Sequence, residues 1–231
     1  MRPVVKGDSA GRVYAEYQDA LDDLADQIGL YCSYCEMPIN NAPEVEHVQP
    51  KSLEPDLALA WDNFLLGCKS CNSTKGDTPV DPELIAFPDT DNTFRGLTYD
   101  RDRIEVPPVL DGTGAALMTA LVGLVKLHRH PDEPQRQDRP TRRDKRYKFR
   151  GETWLVAEDA RQDYVSSGQN ATIGRLITDH LAPAKGFFSV WMTVFSAHPE
   201  MLRGFIDAFP GTAQDCFDAD GAALSRPGGR I

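Results

Sequence analysis

The stretch GCKSCNSTKG, residues 67–76, contains two cysteines, Cys68 and Cys71, with two residues between them. A second pair with the same spacing, Cys32 and Cys35, lies upstream in the sequence YCSYC. Two intervening residues let a tight turn direct both thiolates of a pair towards one ion, and two such turns complete a tetrahedral zinc site. Because four thiolates leave no open coordination position, the pattern predicts a structural zinc ion on which the folding of this region depends.

Two other uses of these thiols compete with zinc binding. A CxxC pair can carry out redox chemistry, but neither pair is flanked by the βαβ pattern expected of thioredoxin-like proteins. The four thiols could also be unrelated buried side chains. The fifth cysteine, Cys216, lies near the C-terminal end of the sequence, and we expect it to be an inert buried thiol.

The composition is that of a globular protein, since 41% of the 231 residues are hydrophobic and 26% are charged. No segment approaches the roughly 18 uninterrupted apolar residues of a membrane span. The first residues turn polar too soon for a signal peptide, and a disulfide framework is expected in short secreted chains rather than here. We therefore expect a cytoplasmic protein with reduced thiols and no membrane partner.

The net charge of −10 is distributed unevenly. Residues 1–100 carry 7 basic and 18 acidic side chains, residues 101–150 carry 12 and 7, and residues 151–231 carry 6 and 10. The basic excess is concentrated in RQDRPTRRDKRYKFR, residues 136–150, where eight Arg or Lys accompany two Asp. This stretch is either a surface that contacts phosphate or a solvated, partly disordered loop. The candidate phosphate contacts within it are Arg142, Arg143, Lys145 and Arg146.

Hydrophobic periodicity divides the chain into four parts. Residues 1–30 form an N-terminal helical segment that we expect to pack on the cysteine-rich region. Residues 31–77 have the pattern of short strands and turns that end in a short helix. Residues 78–220 are mainly helical, and residues 221–231 are Gly-rich and predict a flexible tail. The expected fold class is α+β, a zinc-braced module embedded in a mainly helical body.

The gap between the two cysteine pairs is 32 residues, which is longer than the roughly 15–20 residues of simple zinc sites. We therefore expect the zinc ion to hold together the two ends of an inserted segment that has a separate function. The insert contains Glu46 and His47 at the end of a short predicted strand, residues 44–48. Successive side chains of a strand point to opposite faces, so one of the two can bind a divalent cation while the other addresses a water molecule.

Three further polar residues complete the pattern around this pair. Asn63 follows Trp61 in the sequence WDN, Asn72 comes directly after the last cysteine, and Lys75 lies three residues further on. A carboxylate and an amide oxygen are ligands that suit magnesium. The residues therefore predict a cation site with a nearby base, braced by zinc.

The ordered run of YCSYC, EHVQPKS, WDNFLLGC and KSCNSTKG resembles the HNH nuclease family, whose ββα-metal fold packs a hairpin against a helix around one catalytic cation. The resemblance covers residues 31–77. It implies that His47 is the general base, that Glu46 and Asn72 are cation ligands, and that Asn63 steadies the loop that carries the base. The family more often has Asp where Glu46 stands, and Asn rather than His at position 72 favours a hard cation.

The resemblance implies a metal-dependent DNA endonuclease that uses Mg²⁺ or Mn²⁺, with Lys75 or the basic stretch holding the nucleic-acid backbone. RNA is an alternative substrate. A different class of function is a non-catalytic zinc-binding adaptor that docks nucleic acid or protein through the basic stretch. The PKS after His47 and the helical C-terminal region are similar to HNH nucleases of anti-phage systems of the Septu and retron-associated type, which implies an ATPase partner.

Overall fold

The computed structural model describes residues 1–8, 11–108 and 110–231. In this part of the chain, helices are combined with two small antiparallel sheets, which confirms the α+β class. The strands are β1 Glu44–His47, β2 Phe64–Gly67, β3 Thr98–Asp100 and β4 Arg103–Glu105. The helices are α1 Leu21–Ile28, α2 Lys69–Lys75, α3 Gly112–Leu124, α4 Arg146–Ser166, α5 Ala171–Arg175, α6 Ala182–Lys185, α7 Phe188–Val194 and α8 Pro199–Ala208, with a π-helical segment Leu176–Leu181 between α5 and α6.

The sheet that carries the candidate site is an antiparallel pair of β1 and β2, in which Glu44 lies opposite Gly67 and His47 lies opposite Phe64. All four residues of β2 are buried, because α1 lies against this strand. After one residue, Cys68, which caps the helix, the chain enters α2, which lies against β1. Two strands followed at once by a helix give the ββα module that the sequence predicts.

The N-terminal segment forms one wall of this module. It contains a 3₁₀ turn at Tyr17–Ala20, which contacts β1, and then α1, whose buried side chains Leu24 and Ile28 face the core. Helix α1 ends at Gly29, which has a φ of 71°.

The interior consists of two clusters of buried side chains. One joins the N-terminal segment, the ββα module and α3, and the other joins helices α4 to α8 around Trp191 and Phe205. Trp154 of α4 packs against both clusters. No helix in the described ranges is long and apolar enough to cross a lipid bilayer.

The last eleven residues, 221–231, for which the sequence predicts a flexible tail, make specific contacts in the structure. The Arg230 guanidinium is paired with the buried carboxylate of Asp91 at 2.7 Å, and the Leu224 backbone N–H donates to the Cys216 carbonyl. The Cys216 thiol is buried, and burial raises its pKa to about 11.

A close contact between Gly211 and the end of α1 joins the N-terminal segment to the helical body. Gly211 has a φ of 68°, and a Cβ there would overlap the Gln27 carbonyl oxygen and press on Ile28.

We expect Gly211→Ala to lower the free energy of unfolding by about 3 kcal/mol, and Gly168→Ala by only about 1 kcal/mol. Gly168 is the matched control, because its φ is 71° but a Cβ would meet no atom within 4 Å. Urea denaturation measures the free energy of unfolding of both variants. Equal losses of stability would contradict a close contact between Gly211 and the end of α1.

Candidate metal centre and active site

The four cysteines of the two CxxC pairs are buried and lie together, with all their sulfur atoms within 4.8 Å of one another. Zinc–sulfur bonds of about 2.3 Å in a tetrahedron place sulfurs about 3.8 Å apart, and the Cys35 and Cys68 sulfurs are 3.6 Å apart. Burial raises the pKa of the Cys35 and Cys71 thiols, so a divalent cation is needed to stabilise four thiolates here. The donor set therefore fits one structural zinc ion.

Each pair of cysteines is fastened to a different helix of the body. In the first turn, the Glu36 carboxylate accepts hydrogen bonds from the Ser189 hydroxyl at 2.6 Å and the Ser189 backbone N–H at 3.2 Å. In the second, the Arg146 guanidinium donates to the Cys71 sulfur at 3.2 Å. Helices α7 and α4 thus hold the metal centre from two sides.

Arg146, a candidate phosphate contact in the sequence, is only 3% exposed. Besides the Cys71 sulfur, its guanidinium binds the carbonyls of Val125 at 2.8 Å and Lys126 at 3.2 Å and the Asp144 carboxylate at 2.7 Å. These contacts occupy the guanidinium, so Arg146 is not free to meet a phosphate. Its positive charge instead offsets the negative charge that four thiolates bring to the centre.

His47, the predicted base, ends β1 and is half-enclosed by two aromatic rings. Its imidazole packs edge-on against Tyr17, with the ring centroids 4.9 Å apart, and against Phe64 at 5.2 Å. Its Nε2 atom lies 3.0 Å from the Ala58 carbonyl oxygen. A carbonyl only accepts, so Nε2 carries the proton and Nδ1 keeps its lone pair. Burial lowers the pKa of His47, which favours this neutral form, although the bond to Ala58 opposes the shift.

Asn63 lies across the loop that follows His47. Its side-chain oxygen accepts from the Gln49 backbone N–H at 2.7 Å, and its amide nitrogen donates to the carbonyls of Gln49 at 3.0 Å and Leu57 at 3.2 Å. One buried amide thereby fixes both ends of the loop between residues 49 and 57. The same loop presents the Ala58 carbonyl to His47.

Glu46 and Lys75 form a buried ion pair. The Lys75 ammonium lies 2.9 Å from Glu46 Oε1 and also donates to the His47 carbonyl at 2.6 Å. With 3% exposure, Lys75 is enclosed beside β1, and its charge is taken up by Glu46 rather than being free for phosphate. In the described part of the chain, the polar contacts of the Glu46 carboxylate, from Lys75 and from the Tyr34 hydroxyl at 3.5 Å, both use Oε1. Oε2 is therefore left for another ligand.

Asn72 lies next to this carboxylate, on the face of the hairpin above Gly67. A Cβ at Gly67 would lie 3.2 Å from the Glu46 Cβ and 3.8 Å from the Asn72 Cβ, so the missing side chain leaves room between the two residues. The Asn72 amide nitrogen donates to Glu44 Oε2 at 2.7 Å. This bond orients the amide, and its oxygen has no hydrogen-bond donor in the described ranges. The face thus offers carboxylate and amide oxygens that fit a hard divalent cation.

A cleft of about 360 Å³ opens beside these residues and is lined by Tyr17, Gln18, Glu44 and Asn72, among others. A larger cavity of about 570 Å³ lies on the other side of the Asn63 loop. Its lining includes Asp62, Asp89 and Asp91, of which Asp89 is paired with Lys6 and Asp91 with Arg230, each at 2.7 Å.

Sequence reasoning missed Glu44 and Tyr17. Glu44 could have been found from the strand pattern, since it is two residues before Glu46 and shares its face. Tyr17 has no local signal, because only the packing of the N-terminal segment on β1 brings it to His47.

Three of the basic residues singled out in the sequence remain at the surface. Arg142, Arg143 and Lys145 are exposed, and no carboxylate in the described ranges pairs with them. They lie within four residues of Arg146, which binds the cysteine cluster.

The bond from Arg146 to Cys71 predicts a change in zinc affinity. Loss of a hydrogen bond to a metal ligand typically lowers metal affinity about 10- to 100-fold, and we expect this of Arg146→Gln. Zinc release to a chromogenic chelator measures the effect, with a circular dichroism spectrum in excess zinc to show that the variant folds. Arg142→Gln, at an exposed position nearby, is the control and should release zinc as the wild type does. Equal release from both variants would contradict a role for Arg146 at the metal centre.

The buried pair of Glu46 and Lys75 predicts a loss of stability when it is broken. Lys75→Met leaves the Glu46 carboxylate buried without its partner, and we expect the free energy of unfolding to fall by about 3 kcal/mol. Lys69→Met is the matched control, because Lys69 is exposed on the same helix and should change stability by less than about 0.5 kcal/mol. Urea unfolding of the zinc-loaded proteins compares them, and similar small losses would show that the pair is not important for stability.

Comparison with known proteins gives two matches, both centred on this region. A family model described as HNH endonuclease matches residues 32–78. The Septu protein PtuB of Bacillus thuringiensis is 40% identical over 63 residues, which are 26% of this chain and 24% of that protein, so about three quarters of the relative lies outside the match. Residues 32–78 thus match the HNH endonuclease family and contain the four-cysteine cluster, whose donor set fits a structural zinc ion.

Proposed function

We propose that this protein is a metal-dependent endonuclease that hydrolyses phosphodiester bonds in DNA. The observation that carries the proposal is the juxtaposition, in an HNH domain, of a neutral imidazole with a fixed tautomer and a face of carboxylate and amide oxygens. Phosphodiester hydrolysis needs a base for the attacking water, stabilisation of charge on the phosphoryl oxygens and help for the leaving oxygen.

His47 supplies the base. Its Nε2–H is committed to the Ala58 carbonyl, so Nδ1 is the atom that takes a proton from water. Tyr17 and Phe64 restrict rotation of the ring, and Asn63 fixes the loop that presents Ala58. General-base catalysis of this kind contributes about 10²–10⁴-fold in rate.

Glu46 Oε2 and the Asn72 amide oxygen would hold the catalytic cation, and their oxygen donors suit Mg²⁺ or Mn²⁺. When bound, the cation would stabilise the negative charge that develops on the phosphoryl group and on the leaving oxygen. Lys75 holds Glu46 through Oε1, and Glu44 holds the amide nitrogen of Asn72. These partners keep the two ligands in place before the substrate arrives.

The exposed cations Arg142, Arg143 and Lys145 contact the phosphate backbone and position DNA without reading its sequence. The net charge of −10 weakens the affinity of the isolated chain for DNA, so the proposal includes a partner that brings substrate and nuclease together. The match to a Septu protein supports a role in an anti-phage defence complex. The partner that we propose is an ATPase, and the proposed location is the cytoplasm.

A zinc-binding adaptor without catalytic activity is the competing function. It would use the cysteine cluster and the exposed cations in the same way. An adaptor has no need for an oriented imidazole beside oxygen ligands, whereas a base needs the bonds from His47 Nε2 to the Ala58 carbonyl and from the Asn63 amide to the neighbouring Leu57 carbonyl. These bonds favour the enzyme.

Cleavage of a supercoiled plasmid in Mg²⁺ or Mn²⁺ tests the proposal. We expect the wild type to nick or linearise the plasmid, and His47→Ala to lower the rate at least about 10²-fold because the base is lost. Both proteins are first shown to be folded and to bind equal amounts of zinc. Equal cleavage by the two proteins would contradict the assignment of His47. Absence of cleavage by the wild type, alone and with its partner ATPase, would favour the adaptor.

A further inference from the structure

Lys51 lies at the edge of the candidate site, four residues after His47 in the sequence EHVQPKS. Its side chain is exposed, and its ammonium nitrogen is 3.7 Å from the centroid of the Tyr17 ring. No carboxylate in the described ranges pairs with it, although the chain has 35 acidic residues against 25 basic ones. Lys51 thus contacts the face of the Tyr17 ring rather than a carboxylate.

Tyr17 connects this ammonium to the reacting groups. The same ring packs edge-on against the His47 imidazole at 4.9 Å, and it lines the cleft that Glu44 and Asn72 also line. Lys51 is therefore held, through one ring, beside the base and at the edge of the cleft that Asn72 lines. By contrast, Arg142 and its neighbours directly precede α4 and are not among the residues that line this cleft.

The contact between Lys51 and Tyr17 leaves the Lys51 ammonium able to bind an anion as a second partner. A cation–π contact attracts the ammonium to the ring but uses none of its three N–H donors as conventional hydrogen bonds. A compact ammonium with free donors is a common ligand for phosphate. A carboxylate partner would compete with phosphate, and Lys51 has none among the residues that the structure describes.

We propose that Lys51, positioned by Tyr17, binds a backbone phosphate of the nucleic acid beside the scissile bond. Lys51 is the binding residue, and Tyr17 is a positioning residue that acts through it. The inference deepens the proposed function and rests on it, since it places one specific phosphate contact at the edge of the nuclease cleft. It adds a contact from the N-terminal segment and the His47 loop to those of the basic stretch.

Equilibrium binding tests this inference without dependence on cleavage. A fluorescein-labelled DNA duplex is titrated with the full zinc-loaded chain in the absence of Mg²⁺ and Mn²⁺, and fluorescence anisotropy is followed at several salt concentrations. The slope of the logarithm of the association constant against the logarithm of the salt concentration is negative, and loss of one phosphate contact makes it less steep by about 0.9. We expect this change in Lys51→Gln, together with an affinity for DNA about five- to tenfold weaker at low salt. Lys51→Arg should keep the slope. Lys185→Gln is the control, because it removes one exposed lysine outside the site.

Variants of Tyr17 separate positioning from a general loss of structure. Tyr17→Phe retains the ring face and should bind as the parent does, whereas Tyr17→Leu should weaken binding as Lys51→Gln does. Adding Lys51→Gln to Tyr17→Leu should then have little further effect, because both changes remove the same contact. Urea midpoints of all the variants are compared to exclude unfolding.

The outcomes distinguish the inference from the function on which it rests. An unchanged salt slope in Lys51→Gln, or the same loss in Lys185→Gln, would overturn the phosphate contact and leave the nuclease proposal standing. Tight binding by Tyr17→Leu would overturn the positioning role of Tyr17. Failure of the parent chain to bind DNA or RNA, in duplex or single-stranded form, at low salt would count against the proposed function itself.

Discussion

The crowding of four thiolates at one point is the constraint on which this architecture depends. The two cysteine pairs are the ends of a 32-residue insert, and bringing their sulfurs within 4.8 Å closes that insert into a loop. This closure aligns strands β1 and β2, since Gly67 immediately precedes Cys68 and lies opposite Glu44. A two-stranded sheet of four residues per strand is not stable alone, so the metal centre and the surrounding helices must hold it.

Closure brings negative charge into a buried place, and the surrounding chain compensates for it. Arg146 reaches the Cys71 sulfur from α4, and Lys75 meets the Glu46 carboxylate from α2. Buried pairs of this kind add little net stability, but each has a narrow geometry and is strongly unfavourable when broken. Their effect is to fix where β1, α2 and α4 lie relative to the metal centre, and hence where His47 and the oxygen ligands lie relative to each other.

The sequence predicted the parts of the site that depend on local spacing. The CxxC pairs, the strand that carries Glu46 and His47, and the helix that begins after Cys68 all follow from short-range patterns. It could not predict the burial of Lys75 and Arg146, because a basic residue is usually solvated and its partner lies 29 or 75 residues away in the chain. The sequence could not predict the contact between Tyr17 and His47 for the same reason, since this contact exists only after the N-terminal segment packs on β1.

The same long-range contacts explain how an acidic protein can expose a group of cations close to the cysteine cluster. The first hundred residues are strongly acidic, yet Glu46 is neutralised by Lys75, and Glu44 is engaged by Asn72. Arg146 and Arg150 are buried, and they anchor the start of α4 to the metal centre and to the Asp102 carbonyl. The exposed cations of residues 142–145 precede that anchor directly, so they cannot move far from the cysteine cluster. A phosphate backbone that binds these cations, as we propose, would therefore lie near the cysteine cluster.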